Sequence, residues 1–257
     1  MATTIAISGK GGSGKTTVAA IIIRSLLAQG SSEAVLAVDA DPNSCLGLTC
    51  GVRPAATIAE IREESRQKQP SNTGMDRVRS FEYGIQQAIT EAKGFDLLTM
   101  GRPEGPNCYC AVNNMLRTFL DKLSSQYQYV IIDNEAGMEH LSRRTTNNVD
   151  FLCIVAEPTA LGVITTQRIF ELAKQLPISV KEIGVIWNNT VPIENRKLKI
   201  GNCQLETFGG VPYDKAVFDA SMQGKTVFDI QDNSPAFLSV RKILERIINL
   251  KSVKREA

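Results

Sequence analysis

Histidine is almost absent: His140 is the only one in 257 residues. Metal chemistry built on histidine clusters is therefore excluded, and a Ser-His-Asp triad could form only through that one residue. Aromatic side chains make up 6% of the chain, too few for the stacking platforms of single-strand nucleic-acid binders. Charge of one sign is lacking as well, since 29 Lys and Arg against 27 Asp and Glu leave a net +2. No strong overall field directs such a chain to nucleic acid or to a membrane surface. No apolar run approaches the roughly 18 residues of a spanning helix. The apolar start, Met1 to Ser8, runs straight into a Gly and Lys loop, without the basic region or cleavage site of a signal peptide. The expected location is the cytoplasm, where thiols stay reduced, and six cysteines are far fewer than a disulfide scaffold needs.

What remains is a chain with 43% hydrophobic residues, long enough to bury its own core. Short apolar runs recur at Thr3 to Ser8, Ala34 to Asp39, Phe95 to Met100, Tyr129 to Asp133, Phe151 to Ala156 and Ile183 to Asn188. Most are apolar on consecutive positions, as strands covered on both faces of a parallel sheet must be. Helical periodicity marks Thr16 to Ala28, Asn113 to Leu123, Thr165 to Leu176 and Pro235 to Leu250. Serial βαβ units predict one α/β domain over residues 1–257, with a doubly wound, mostly parallel sheet and helices on both faces. Ligands of such a sheet collect at the carboxyl ends of its strands. Arg53 to Gly84 mixes acidic and basic residues and reads as a solvated helix followed by a surface loop at Gln69 to Asp76.

The first strand is followed by Gly9-Lys10-Gly11-Gly12-Ser13-Gly14-Lys15-Thr16-Thr17, which fits G-x-x-x-x-G-K-[ST] and leads into a helix. Glycines let successive amides turn inward around phosphate oxygens, and the helix adds its positive N-terminal end. Gly11, Gly12, Ser13, Gly14, Lys15, Thr16 and Thr17 are the expected cradle. Lys15 is expected on the β and γ phosphates, and the Thr16 hydroxyl on Mg²⁺. The fold expected is thus of the P-loop NTPase type.

Lys10 adds a second cation to the loop, which resembles the deviant Walker A sequence of the dimeric ATPases that include MinD, ParA, the nitrogenase iron protein and the tail-anchored protein targeting factor. The resemblance implies that Lys10 reaches across a nucleotide-sandwich dimer to the partner's phosphates, as an arginine finger would. It also implies roles in Asp39-Ala40-Asp41-Pro42-Asn43, which matches the first switch of the class: Asp39 in the magnesium water shell, Asp41 orienting or deprotonating the attacking water. Asp133-Asn134-Glu135-Ala136-Gly137 closes an apolar strand as the second switch, with Asp133 on the magnesium side and the Gly137 amide toward the γ-phosphate. Related proteins place an Asn on the purine where Asn188 stands. Val191 occupies the place where a guanine-reading N-K-x-D motif needs its Asp, so ATP is favoured over GTP. Pro212 and Tyr213 resemble the loop that covers the adenine, while a helix starting at Pro212 is the plain alternative.

Cys108 and Cys110 lie in a Gly- and Pro-rich loop at the end of a strand, an unusual place for thiols that only pack. Two thiolates leave a metal ion incompletely coordinated, whereas two such pairs meeting across a two-fold axis give four sulfur ligands. Soft ligands of this kind suit Ni²⁺, Zn²⁺, Cu⁺ or iron-sulfur chemistry. With the phosphate loop and Asp133 to His140, the stretch G-R-P-E-G-P-N-C-Y-C resembles the CooC/AcsF-type nickel-insertion ATPases, along nearly the whole chain. That resemblance implies a homodimer that uses ATP and Mg²⁺ to deliver Ni²⁺ (Zn²⁺ fits the same thiolates) to apo carbon monoxide dehydrogenase or acetyl-CoA synthase. No cysteine lies between Asp133 and His140, which argues against a bridging cluster of the nitrogenase iron-protein kind.

Cys153 reads as a core residue, Cys45, Cys50 and Cys203 as packing, and His140 as switch-helix packing. Two other readings stand beside the metallochaperone: a positioning ATPase of the ParA or MinD kind, and an iron-sulfur carrier ATPase. Against the first, Phe237, Val240, Leu244 and Ile247 form a stripe suited to packing on the sheet rather than to a membrane. Arg241 to Ala257 carries six basic and two acidic residues, a net +4. No membrane partner is expected, and nucleic acid is not the favoured one.

Overall fold

The computed structural model describes residues 2–30, 34–67, 83–102, 123, 126–136, 148–176, 178–190, 198–200 and 203–253. Among them are the strands β1 (Thr3–Gly9), β2 (Val35–Ala40), β3 (Thr90–Glu91), β4 (Asp96–Thr99), β5 (Tyr129–Asn134), β6 (Asn148–Ala156), β7 (Ser179–Asn188), β8 (Leu198–Ile200) and β9 (Cys203–Val211). They form a nine-stranded sheet in the order β3-β4-β2-β5-β1-β6-β7-β9-β8. Neighbours from β4 across to β9 run parallel, and only β3 on β4 and β8 on β9 are antiparallel. Strand β1 lies between β5 and β6, where the strand order turns back, so its carboxyl end opens into the crevice that such sheets use for ligands.

The central strands are apolar on consecutive positions because both of their faces are covered. Ile5, Ala6 and Ile7 of β1 and Leu152 to Val155 of β6 are all fully buried. One face packs α1 (Lys15–Ala28), α2 (Cys45–Thr49), α5 (Lys215–Met222) and α6 (Pro235–Val253); the other packs α3 (Ile58–Gln67), a helical segment at 83–88 and α4 (Ala160–Gln175). The stripe Phe237, Val240, Leu244 and Ile247 of α6 is buried, as its spacing requires.

The expected doubly wound, parallel α/β arrangement is therefore present, with different edges. Strand β9 was not expected, because Glu206, Thr207 and the pair Gly209-Gly210 interrupt its apolar pattern. It is held by its ladder with β7, which carries a bulge at Val185/Ile186. Helix α4 starts before Thr165 because the Thr159 hydroxyl caps it, accepting from the Gly162 amide at 3.1 Å. The solvated helix expected after Arg53 is α3, while Gln69 to Asp76 and most of the Asn113 to Leu123 helix lie outside the described residues.

Two buried charges tie the last helix to the sheet and to α1. Arg24, 7% exposed, donates to the carbonyls of Val227 at 2.7 Å and Ile230 at 2.6 Å and to Asp232 at 2.6 Å. Its guanidinium lies 4.2 Å from the centre of the Phe237 ring, so one side chain pins α1 to α6. At the far end of the sheet, Asp150 accepts from the Thr4 amide at 2.9 Å, from Lys181 at 2.7 Å and from Lys251 at 3.0 Å. Lys251 also donates to Ala2 O and to the Thr3 hydroxyl.

These donors hold the Asp150 carboxyl below the usual range against the opposing effect of its burial. The stability it contributes is present above the unfolded aspartate pKa and is lost as pH falls through the lower folded value. Asp150→Asn should lower the unfolding free energy at pH 7 by about 2 kcal/mol. In denaturant melts the gap from wild type should narrow as pH falls below the unfolded aspartate value of about 3.9.

Candidate nucleotide site

The phosphate loop leaves β1 where the chain has no room for side chains. A Cβ on Gly9 would stand 2.2 Å from the Val155 carbonyl oxygen on β6. Gly14 has φ +91°, and a Cβ there would stand 2.3 Å from the Asn188 side-chain nitrogen. The loop closes on itself through Lys10, whose carbonyl accepts from the Ser13 amide at 3.2 Å and from Lys15 Nζ at 3.3 Å. Lys15 is buried at the start of α1, which places its ammonium at the helix N-terminus under the loop. Lys10, Gly11 and Gly12 are exposed.

Sheet register puts the two expected magnesium-side carboxylates next to each other. Asp133 on β5 pairs with Ile7 on one side and with Asp39 of β2 on the other. Residues matched across a parallel ladder point to the same face, so both carboxyls lie on the α1 side, each fully buried. The Asp39 carboxyl accepts from the amides of Leu46 at 2.9 Å and Asp41 at 3.3 Å. Neither oxygen of Asp133 has a hydrogen-bond partner among the described residues.

Burial pushes Asp39 up to about 6, against the pull of the Leu46, Asp41 and Gly47 amides. It pushes Asp133 up to about 7; the Thr16 hydroxyl and Lys15 pull the other way, and Asp39 adds to the rise. Thr16 favours the Asp133 carboxylate without satisfying either oxygen. Two buried carboxylates and a hydroxyl beside them form a hard oxygen donor set, one of them wholly unpartnered, and this is the chemistry that Mg²⁺ takes.

The remaining residues of the expected first switch are held by local hydrogen bonds. Asp41 Oδ1 accepts from both the amide and the side-chain nitrogen of Asn43 at 2.8 Å, an Asx turn that fixes Asp41 beside Asp39. Asn188, expected on a purine, donates to the Ser13 carbonyl at 2.8 Å and so braces the phosphate loop. Its strand neighbour is Val211, after which Pro212 and Tyr213 follow at the same end of the sheet. Asp214 caps α5, which begins at Lys215 and not at Pro212. Tyr213 is 60% exposed, with its ring centroid 6.4 Å from that of Phe218.

Gly137, His140, Val191, Cys108 and Cys110 lie outside the described residues. Ala136, just before Gly137, approaches the loop, its Cβ 3.8 Å from where a Gly11 Cβ would be. Cys50 and Cys153 are buried, as packing requires, whereas Cys45 is exposed at the start of α2, a correction to its packing reading. Asn134 was not singled out: buried, it donates to the Ile7 carbonyl at 2.9 Å and locks the end of β5 to β1. Its only sequence signal is an amide directly after the strand-ending Asp133.

The raised carboxyls also predict a pH dependence of stability. A folded-state pKa above the unfolded one means that the folded chain holds more protons, so stability declines as pH rises from about 4 to 7. Asp133→Asn removes that penalty. Without nucleotide or Mg²⁺ it should be more stable than wild type by about 2 kcal/mol at pH 8, with a gain that shrinks toward pH 5. Melting temperatures across that range check the sign.

Comparison with known proteins agrees with this geometry. Residues 4–227 match the CobQ/CobB/MinD/ParA nucleotide binding domain. An uncharacterized ATP-binding protein of Methanocaldococcus jannaschii is 39% identical over 96% of this chain and 99% of its own length. The carbon monoxide dehydrogenase accessory protein CooC of Rhodospirillum rubrum is 30% identical over 95% of this chain and 97% of its own. The Pyrococcus horikoshii septum site-determining protein MinD, solved with Mg-ADP, superposes with a TM-score of 0.65 at 20% identity, covering 99% of each chain. With its phosphate loop at the end of β1 and paired carboxylates beneath it, the chain belongs to the CobQ/CobB/MinD/ParA nucleotide binding domain family and is an ATPase.

Proposed function

We propose that the chain is an ATP-dependent metallochaperone: it dimerises on ATP, holds Ni²⁺ between two Cys108-x-Cys110 loops, and passes the ion to carbon monoxide dehydrogenase or acetyl-CoA synthase. What carries this reading is its 30% identity to CooC, a carbon monoxide dehydrogenase accessory protein, over 95% of this chain. The C-x-C loop supplies the chemistry, because four thiolates close a site that one chain leaves half-made.

In this reading the amides of Gly11 to Thr17 and Lys15 hold the triphosphate, and Thr16, Asp39 and Asp133 serve Mg²⁺, which neutralises the phosphate oxygens when bound. Lys10 projects from the exposed side of the loop toward the partner's phosphates. Asp41 orients a water, whose oxygen attacks the γ-phosphorus as the bond to the ADP oxygen breaks. Asn188, Pro212 and Tyr213 face the adenine, and the Gly137 amide follows the γ-phosphate. Loss of that phosphate relaxes both switches and loosens the intersubunit thiolate site. The apolar stripe of α6 lies in the core and Lys251 is committed to Asp150, which weighs against a surface-binding role for that helix.

Metal analysis of the anaerobically prepared dimer tests the cargo. Wild type should bind about one Ni²⁺ per two chains and Cys108→Ser/Cys110→Ser none; equal stoichiometry in both would sink the assignment. Asp41→Ala should lower ATP turnover by roughly 10²-fold or more while ATP-dependent dimerisation persists. Unimpaired turnover would remove Asp41 from its role.

A further inference from the structure

One carboxylate joins the starts of two helices at the edge of the nucleotide site. Asp214 Oδ1 accepts from the Ala216 amide at 2.9 Å and so caps α5. Its Oδ2 accepts from the Ser234 hydroxyl and, at 3.1 Å, from the Ala236 amide in the first turn of α6. Ser234, 4% exposed, in turn accepts from the Phe237 amide at 3.4 Å. An N-cap needs one oxygen, yet here the second is committed to a helix 20 residues further along the chain. Donors from two helix starts hold the carboxyl below its usual range.

The residues just before Asp214 are Pro212 and Tyr213. On their other side Val211 is fixed by its ladder with Asn188 and by the Thr190 amide, which donates to its carbonyl at 3.2 Å. The two-residue span is thus strung between the end of the sheet and the Asp214 bracket. Asn188 joins the near end of that span to the phosphate loop through Ser13.

We propose that Asp214 and Ser234 are positioning residues for base recognition: their bridge sets where Pro212 and Tyr213 stand over the nucleotide base, independently of the phosphate chemistry. This rests on the reading of Pro212 and Tyr213 as the base-covering segment. A carboxylate that only capped α5 would have no need of Ser234, and its loss would change folding without sorting base from phosphate.

The test separates the two. Ser234→Ala removes one bond of the bridge, and Asp214→Asn replaces a shared acceptor by a group that cannot serve both helices. Each should raise KM for ATP roughly threefold to tenfold, the range of one or two net hydrogen bonds. Each should narrow the preference for ATP over GTP, leave kcat within about twofold and leave inhibition by inorganic tripolyphosphate unchanged, since that probe carries no base. Ser234→Thr restores the hydroxyl and should restore KM. A fall in kcat together with weaker tripolyphosphate inhibition overturns the proposal, as does an unchanged KM in folded Ser234→Ala. Tyr213→Ala tests the underlying reading separately. If it raises KM while Ser234→Ala does not, the base-covering segment stands and the bridge fails. If Tyr213→Ala has no effect, the segment reading fails and takes the bridge's role with it.

Discussion

Asp39 and Asp133 occupy one buried row of the sheet, and the architecture of the site follows from how their charge is met. Placing two carboxyls on neighbouring strands under a low-dielectric roof costs free energy whenever both ionise. Asp39 is partly compensated by the amides of Leu46 and Asp41. Asp133 keeps two oxygens without partners among the described residues. The sheet thus holds an unmet demand for a hard cation beside the phosphate loop, the kind of demand that a cation accompanying phosphate oxygens is suited to meet. The segment after β2 shares in the arrangement, because the same Asp39 carboxyl also anchors the backbone of Asp41 and the start of α2. Any change in charge at Asp39 is therefore felt at the backbone of Asp41.

Precision at the site comes from side chains that join elements rather than from the loop alone. Asn134 locks β5 to β1, Asn188 braces the loop from β7, and Arg24 fastens α1 to the segment that leads into α6. Each donates to fixed backbone carbonyls and so adds geometric definition.

The sequence made the parallel core legible because burial on both faces writes itself as unbroken apolar runs, and β1, β5 and β6 could be read that way. The phosphate loop was legible because few residue types satisfy its backbone geometry, and its place between strand and helix confirmed it. Strand β9 was not legible, since its pairing with β7 overrides a local pattern broken by Gly209 and Gly210. The exposure of Cys45 and the bracing role of Asn188 depend on how distant elements dock, which one-dimensional spacing does not encode. The thiol pair Cys108 and Cys110 was conspicuous from sequence chemistry alone, in a stretch rich in Gly and Pro.

The antiparallel strands at the two margins of the sheet have a consequence for how copies of the chain can associate. Strand β3 spans two residues and β8 three. Each lies outermost on a parallel interior whose long strands would otherwise present open rows of amides and carbonyls. Strand β8 pairs only with Cys203 to Leu205 and β3 only with Asp96 and Leu97, so each shields one end of the strand beside it from edge-to-edge pairing. Over those shielded stretches, association between copies is left to loops and helix faces, and the exposed turn of Lys10, Gly11 and Gly12 lies on that kind of surface.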